Sequence, residues 1–254
     1  MDIAGTGFLA RNLEPISAAH PRVVVAAAGV SAADGTSEAE FAREADLLYR
    51  LIRRCGQRGH KLLFFSTAST GMYSVPGEAG REDGPVFPAT PYGRHKLALE
   101  GVLAAAGIDY LVLRLGHVVG PQQPPHQLLP AMVRQVRSGL VRLHRGAQRD
   151  LIDVADVVAI ADRLLATGAN RTVVNVASGV PVPIDEIIDH IEARLGLRAV
   201  REYVKDAHNQ PISTAKLVRL VPDVAAMGFE PGYHRRVLDR YVTAAEPLSS
   251  AAPA

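Results

Sequence analysis

Tyr92 and Lys96 stand four residues apart in the run Pro91-Tyr92-Gly93-Arg94-His95-Lys96. On a helix that spacing puts both side chains on one face. A phenol can give a proton to a carbonyl, or take one from an alcohol, when a neighbouring ammonium favours the phenolate and lowers its pKa. The ammonium can also hold a cofactor ribose. Upstream lies a hydroxyl cluster, Ser66-Thr67-Ala68-Ser69-Thr70, closing the apolar run Lys61–Ser66. Tyr-x-x-x-Lys occurs often by chance, so its weight depends on the elements around it.

A second constellation opens the chain. Gly5-Thr6-Gly7-Phe8-Leu9-Ala10 fits the dinucleotide pattern G-x-G-x-x-G/A. In that pattern Gly5 makes the tight turn and Gly7 lets the backbone approach a pyrophosphate. The small Ala10 lets helix and strand pack closely. The phosphates then sit where a helix opens at Phe8 and Leu9, whose free N–H groups favour negative charge. An ordinary glycine turn would read much the same; the placement, after a strand and before a helix, favours the phosphate role.

The elements that must position these groups alternate in type. Met1–Ala4 reads as a short strand and Phe8–Ala19 as a helix. Arg22–Ala28 is a buried strand, and Ser37–Arg54 a helix with Phe41, Ala45, Leu48 and Leu51 at helical spacing. Lys61–Ser66 is a strand, Tyr92–Ala106 a helix and Asp109–Leu115 a strand. Beyond them come a helix over Leu128–Ser138, a strand-to-helix transition in Leu151–Ala166, a strand at Thr172–Val176 and a helix at Ile184–Leu195. Continuous apolar strands separated by helices predict an α/β fold, a parallel sheet covered on both faces. The expected organisation is a shortened dinucleotide-binding core over 1–120, a mixed segment and substrate lobe over 121–244, and a flexible tail over 245–254.

This order of motifs resembles the extended short-chain dehydrogenase/reductase family. The likeness continues downstream. Glu82-Asp83 with Pro88 and Pro91 looks like the family's loop before the tyrosine. Leu111-Val112-Leu113-Arg114 with Val119-Gly120-Pro121 looks like its strand–Arg and Gly-Pro segment. Arg149-Asp150-Leu151-Ile152-Asp153-Val154-Ala155-Asp156-Val157 and Asn175-Val176-Ala177-Ser178-Gly179 resemble its later motifs. Together they span most of residues 1–196.

The resemblance implies a Rossmann-like doubly wound parallel sheet with a small C-terminal substrate lobe. Ala26-Ala27-Ala28-Gly29 looks like the family's fourth strand, which lies along the cofactor. The second and third strands are then missing, and the fold is shortened on the adenine side. The acidic residue that reads the ribose ~20 residues after the glycines has no counterpart, so the choice between cofactors is open. NADPH or NADH is implied, NADPH slightly favoured, with Arg11 either meeting a 2′-phosphate or simply solvated.

Tyr92 and Lys96 are the implied catalytic pair. The hydroxyl on the substrate carbonyl is Thr67 counting from the strand, or Ser69 counting back from Tyr73. Leu115 and His117 fall at the nicotinamide pocket; His117 either touches substrate or packs as a hydrogen-bonded ring. Arg149 is implied to bind a nucleotide-sugar diphosphate, which a bidentate guanidinium suits, the alternative being an ion pair with Asp153 or Asp156. The acidic pair of the dehydratases has no counterpart at Ala68-Ser69 or Thr70-Gly71. The family's C-terminal substrate arginine is not evident near His208-Asn209-Gln210.

The expected activity is NAD(P)H-dependent reduction of a keto group on a nucleotide-linked deoxysugar. The alternatives are an NAD-dependent nucleotide-sugar epimerase and a non-catalytic NAD(P)-binding protein. Relatives dimerise through the helix after the tyrosine, so a homodimer through Leu97, Leu99 and Leu103 competes with packing of these residues on the sheet.

Bulk properties agree with these expectations. The 254 residues carry a net charge of +2 and are 48% hydrophobic, enough for a sizeable core. No basic cluster with interleaved aromatics suggests nucleic acid, and no apolar run of ~20 residues suggests a membrane span. The histidines lack metal-ligand spacing. A single cysteine, Cys55, forms no internal disulfide, reads as a bland thiol and suits a cytoplasmic setting.

Overall fold

The computed structural model describes residues 1–31, 36–69, 72–73, 79–206, 209 and 211–242. The expected tail over 245–254, together with Thr70, Gly71, His208 and Gln210, lies outside the described residues. Five parallel strands form the central sheet in the order β1 (Asp2–Ala4), β2 (Val23–Ala26), β3 (Lys61–Thr67), β4 (Tyr110–Leu115) and β8 (Thr172–Val176). β1 pairs with β2 alone, so it is a sheet edge among the described residues.

Both faces of the sheet are covered, and the strand residues sort by parity as a pleat requires. Val23, Val25, Leu63, Phe65, Leu111 and Leu113 pack on one side against α1 (Phe8–Leu13) and α5 (Val154–Ala166). Val24, Ala26, Leu62, Phe64, Tyr110 and Val112 pack on the other against α2 (Glu38–Arg58) and α3 (Pro91–Ala105). This is the doubly wound arrangement that buried apolar strands demand.

The helix bounds have local causes. Ser37 caps α2 through a capping box with Glu40, satisfying two otherwise orphaned N–H groups. Thr90 caps α3 by accepting from Gly93 N, with Pro91 as first helical residue, where its missing N–H costs nothing. The first helix is shorter than the expected Phe8–Ala19. It ends at Leu13 and tightens into a 3-10 turn over Glu14–Ala19, because Pro15 offers no N–H to continue the α ladder.

The second half builds a smaller unit against the sheet's C-terminal end. β5 (His117–Val119) pairs with β7 (Gln148–Asp153), which pairs with β9 (Pro181–Pro183), and β6 (Leu140–Arg145) runs parallel to β10 (Val200–Asp206). α4 (Leu128–Arg137), α6 (Ile184–Leu195) and α8 (Tyr233–Tyr241) complete it, while a short α7 (Ala215–Leu220) packs through Leu217 on the central sheet. Its own core joins Met132, Val141, Leu151, Ile188 and Leu238. No helix among the described residues is long and apolar enough to cross a membrane.

Leu99 and Leu103 are buried on the sheet, and Leu97 packs with Ala68, Met72 and Tyr73. These leucines are therefore committed within the chain. Cys55 is also buried, and its thiol is pushed up to about 11 by desolvation, which makes it unreactive near neutrality.

Candidate active site

A cavity of about 680 Å³ opens at the C-terminal ends of β2, β3 and β4, where ligands bind in open α/β sheets. Thr67, Ser69, Tyr92 and Lys96 all line it, as do Gly7, Phe8, Leu9, Ala27, Gly29, Leu115, His117 and Arg149. Three residues from the cofactor pattern do not. Gly5 lies against the Ala27–Ala28 backbone, Ala28 is exposed, and Ala10 is buried.

The glycine turn has the shape that a nucleotide needs. Gly5 adopts φ +146°, and a Cβ there would stand 2.6 Å from the Ala27 carbonyl. The turn is thus pressed onto the end of β2, and only glycine serves. At Gly7 a Cβ would meet no protein atom closer than Ala27 O at 4.0 Å; the missing side chain leaves room in the cavity. A nicotinamide nucleotide fits this donor set: bare backbone at the turn, small Ala26 and Ala27 along β2, and Tyr92 and Lys96 at the far wall.

α3 presents Tyr92 in its first turn and Lys96 one turn on, with Lys96 Nζ 5.6 Å from the Tyr92 ring centre. Lys96 is buried and held by Glu44, its Nζ donating to Glu44 Oε1 at 2.5 Å and to Phe65 O at 3.3 Å. Glu44 also accepts from Val30 N and meets His95 Nε2. This carboxylate changes the electrostatics expected at the tyrosine. Burial pushes the Tyr92 phenol above its ordinary value, the Lys96 charge pulls it down, and Glu44 pushes it up again. The net direction is upward, opposite to the lowering expected from an ammonium alone, because burial outweighs the Lys96 charge and Glu44 adds to it.

The two hydroxyl candidates differ in what they touch. Thr67 is 3% exposed; its Oγ1 accepts from Ser69 N and lies 3.1 Å from Ser69 Oγ. That is a side-chain turn fastening the loop to the strand end. Ser69 stands further out, half-buried on the cavity wall.

Beneath these residues runs a buried polar network. Ser66 Oγ and the Arg114 guanidinium both donate to the Glu100 carboxylate, Arg114 in a two-pronged contact at 2.7 and 3.0 Å. Arg114 also donates to Tyr73 OH, which donates to Asn175 Oδ1 at 2.6 Å. Asn175 Nδ2 reaches Gly80 O and Ser213 O. The sequence offered a signal for one of the missed acids. Glu44 lies on the buried stripe of α2 with Leu48, Leu51 and Cys55, where an unpaired carboxylate would be costly.

The cavity also carries cationic groups. Arg134, Arg142 and Arg149 line it with His126 and His144, and no Asp or Glu does among the described residues. Arg149 donates to Gln148 O and, among the described residues, forms no ion pair. The expected alternative partners are taken: Asp153 by Arg240 and Tyr241, and Asp156 by Tyr233. His117 packs against the Asp150 backbone, its Nδ1 buried without a partner; burial and the Arg149 charge push the ring down to about 3. Asn209 carries no cation to the cavity but bonds Gln148 N and Gly146 O.

Residues 9–177 match the family model described as NAD dependent epimerase/dehydratase family. A dTDP-6-deoxy-L-talose 4-dehydrogenase (NAD(P)(+)) of Kitasatospora kifunensis is 38% identical over 124 residues, 43% of this chain and 38% of that one. A GDP-6-deoxy-D-mannose reductase of Pseudomonas aeruginosa is 32% identical over 154 residues, 55% and 51% of the two chains. The matched stretch thus spans about half or less of each relative's length. Among solved structures, RMD from Pseudomonas aeruginosa complexed with NADPH superposes with a TM-score of 0.71 at 21% identity, covering 87% of this chain and 91% of that one. The UDP-glucose 4-epimerase of Thermus thermophilus in complex with NAD gives 0.68 at 25% identity, covering 91% and 81%.

Proposed function

The chain belongs to the NAD dependent epimerase/dehydratase family, and on that premise we propose that it reduces a keto group on a nucleotide-activated deoxysugar with NADPH or NADH. The observation that carries this reading is the make-up of the cavity: Ser69, Tyr92 and Lys96 line it together with Arg134, Arg142 and Arg149, and no carboxylate does among the described residues. Arginines suit a diphosphate, through paired donors. The lack of a lining carboxylate disfavours elimination of water, which needs an acid and base at the sugar. The two curated relatives, a dehydrogenase and a reductase of nucleotide-linked deoxyhexoses by name, support the same substrate class.

The bound nicotinamide would supply the hydride. Tyr92 would give its proton to the carbonyl oxygen as the alcohol forms. A phenol held above its ordinary pKa keeps that proton at neutral pH, which suits the reductive direction. Ser69 would hydrogen-bond the same oxygen, with Thr67 fixing its loop. Lys96 would hold the nicotinamide ribose, and Leu115 and His117 would bound the ring. Arg149 would take the diphosphate.

The test is loss of reduced-nicotinamide absorbance with NADPH or NADH and a dTDP-4-keto-6-deoxysugar. Oxidation should be seen and should fall by about 10²–10⁴ in Tyr92→Phe, the range for loss of a positioned proton donor. A change in sugar stereochemistry by NMR without net oxidation would place the chain with the epimerases. Cofactor binding with neither outcome would leave the non-catalytic alternative.

A further inference from the structure

The strand order β1-β2-β3-β4-β8 crosses the sheet in one direction and never reverses. In a doubly wound dinucleotide fold the cofactor straddles such a reversal, with one mononucleotide half on each side. Here the central-sheet strands that reach the cavity all lie to one side of the glycine turn. They are β2 through Ala26, β3 through Phe65, Ser66 and Thr67, and β4 through Leu115.

On the other side of the turn there is no further strand among the described residues. β1 is bonded to β2 and to nothing beyond. The chain leaves α1 through the 3-10 turn over Glu14–Ala19 and enters β2 at Val23. The cavity lining starts at Gly7, includes Phe8 and Leu9, and resumes at Ala26; nothing from residues 10–25 reaches it. Arg11, the cation beside the turn, directs its guanidinium to Thr6 O at 3.2 Å and Gln122 O at 3.4 Å. Among the described residues the surface where a second nucleotide would rest is therefore not built, and Arg11 beside the turn is directed onto backbone carbonyls.

We propose that this chain recognises the nicotinamide mononucleotide half of its cofactor, the adenosine half adding little affinity. The proposal rests on the cofactor reading above. It makes reduced nicotinamide mononucleotide a competent ligand. It also makes the 2′-phosphate that separates NADPH from NADH nearly indifferent, removing the slight preference for NADPH expected from the sequence.

Direct titration of nicotinamide fluorescence, without sugar substrate, tests it independently of turnover. Dissociation constants for reduced nicotinamide mononucleotide, NADH and NADPH should agree within about tenfold, a spread of about 1.4 kcal/mol. Gly7→Val, which fills the room at the turn, should weaken all three by about tenfold or more. Binding of either dinucleotide more than about 100-fold tighter than the mononucleotide would overturn the proposal while leaving the cofactor reading intact. So would mononucleotide binding that Gly7→Val leaves unchanged. Failure of all three to bind would overturn the cofactor reading, and the proposal with it.

Discussion

Lys96 Nζ and Glu44 Oε1 lie 2.5 Å apart, both side chains about 4% exposed. The ammonium that faces Tyr92 thus shares its charge with a carboxylate from a different helix. Replacing Glu44 by Gln keeps an oxygen acceptor for Lys96 and removes the negative charge that raises the Tyr92 phenol. The alkaline limb of the pH–rate profile for reduction, set by loss of the Tyr92 proton, should move to lower pH. Stability should fall by up to about 3–5 kcal/mol, the cost of breaking a buried pair. A destabilised variant with an unmoved limb would reduce Glu44 to a packing role.

Gly29 packs against the same pair. A Cβ there would stand 2.1 Å from Glu44 Oε1 and 3.1 Å from Lys96 Nζ. Neither atom can withdraw easily, because Glu44 is also held by Val30 N and His95. Gly29→Ala should cost roughly 1–3 kcal/mol in a urea titration, the usual scale of overpacking, and should weaken nicotinamide binding. Wild-type values in both measurements would show that the pair shifts freely.

The two hydroxyls should separate in kinetics. Ser69→Ala should lower kcat by about 10²-fold or more, on the scale of losing one donor to a developing oxyanion. Thr67→Val unties the loop but leaves the Ser69 hydroxyl in place, so its loss should be smaller and partly in KM. The reverse ranking would make Thr67 the group that touches the carbonyl.

His117 gives a prediction for stability. Its ring titrates near 6.5 when unperturbed and is pushed down to about 3 in the fold. Between these values the unfolded chain binds a proton that the folded chain refuses, so stability falls as pH falls from about 6.5 toward 3. His117→Gln removes that term. The Tm drop between pH 7 and pH 4 should therefore be smaller in the variant, by thermal scans in matched buffers. An equal drop in both proteins would mean the folded ring does titrate.

The elements around the site were legible because each has a local cause. The parity of Val23–Ala26 and Leu62–Phe65 marks strands buried on both faces, and Thr90-Pro91 marks the start of α3 just before Tyr92. What escaped depends on partners remote in sequence. The Glu44 contact to Lys96 spans 52 positions, and nothing near Lys96 hints at it. The choice between Thr67 and Ser69 turns on a loop hydrogen bond rather than on counting. The three-residue strands β5 and β9 escaped because so few residues show no clear period, and β6 and β10 because each finds its partner far along the chain.

The Tyr73–Asn175 bond carries a kinetic consequence. Asn175 holds Gly80 O and Ser213 O, and Gly80 exchanges backbone bonds with Pro211 and Ser213. The segment ahead of α7 is thus sewn to Gly80, and through Asn175 to Tyr73, with Arg114 and Glu100 as the common anchor. Amide protons at Gly80 and Ser213 should then exchange with solvent at one shared rate, since neither segment can lift away while the other stays seated.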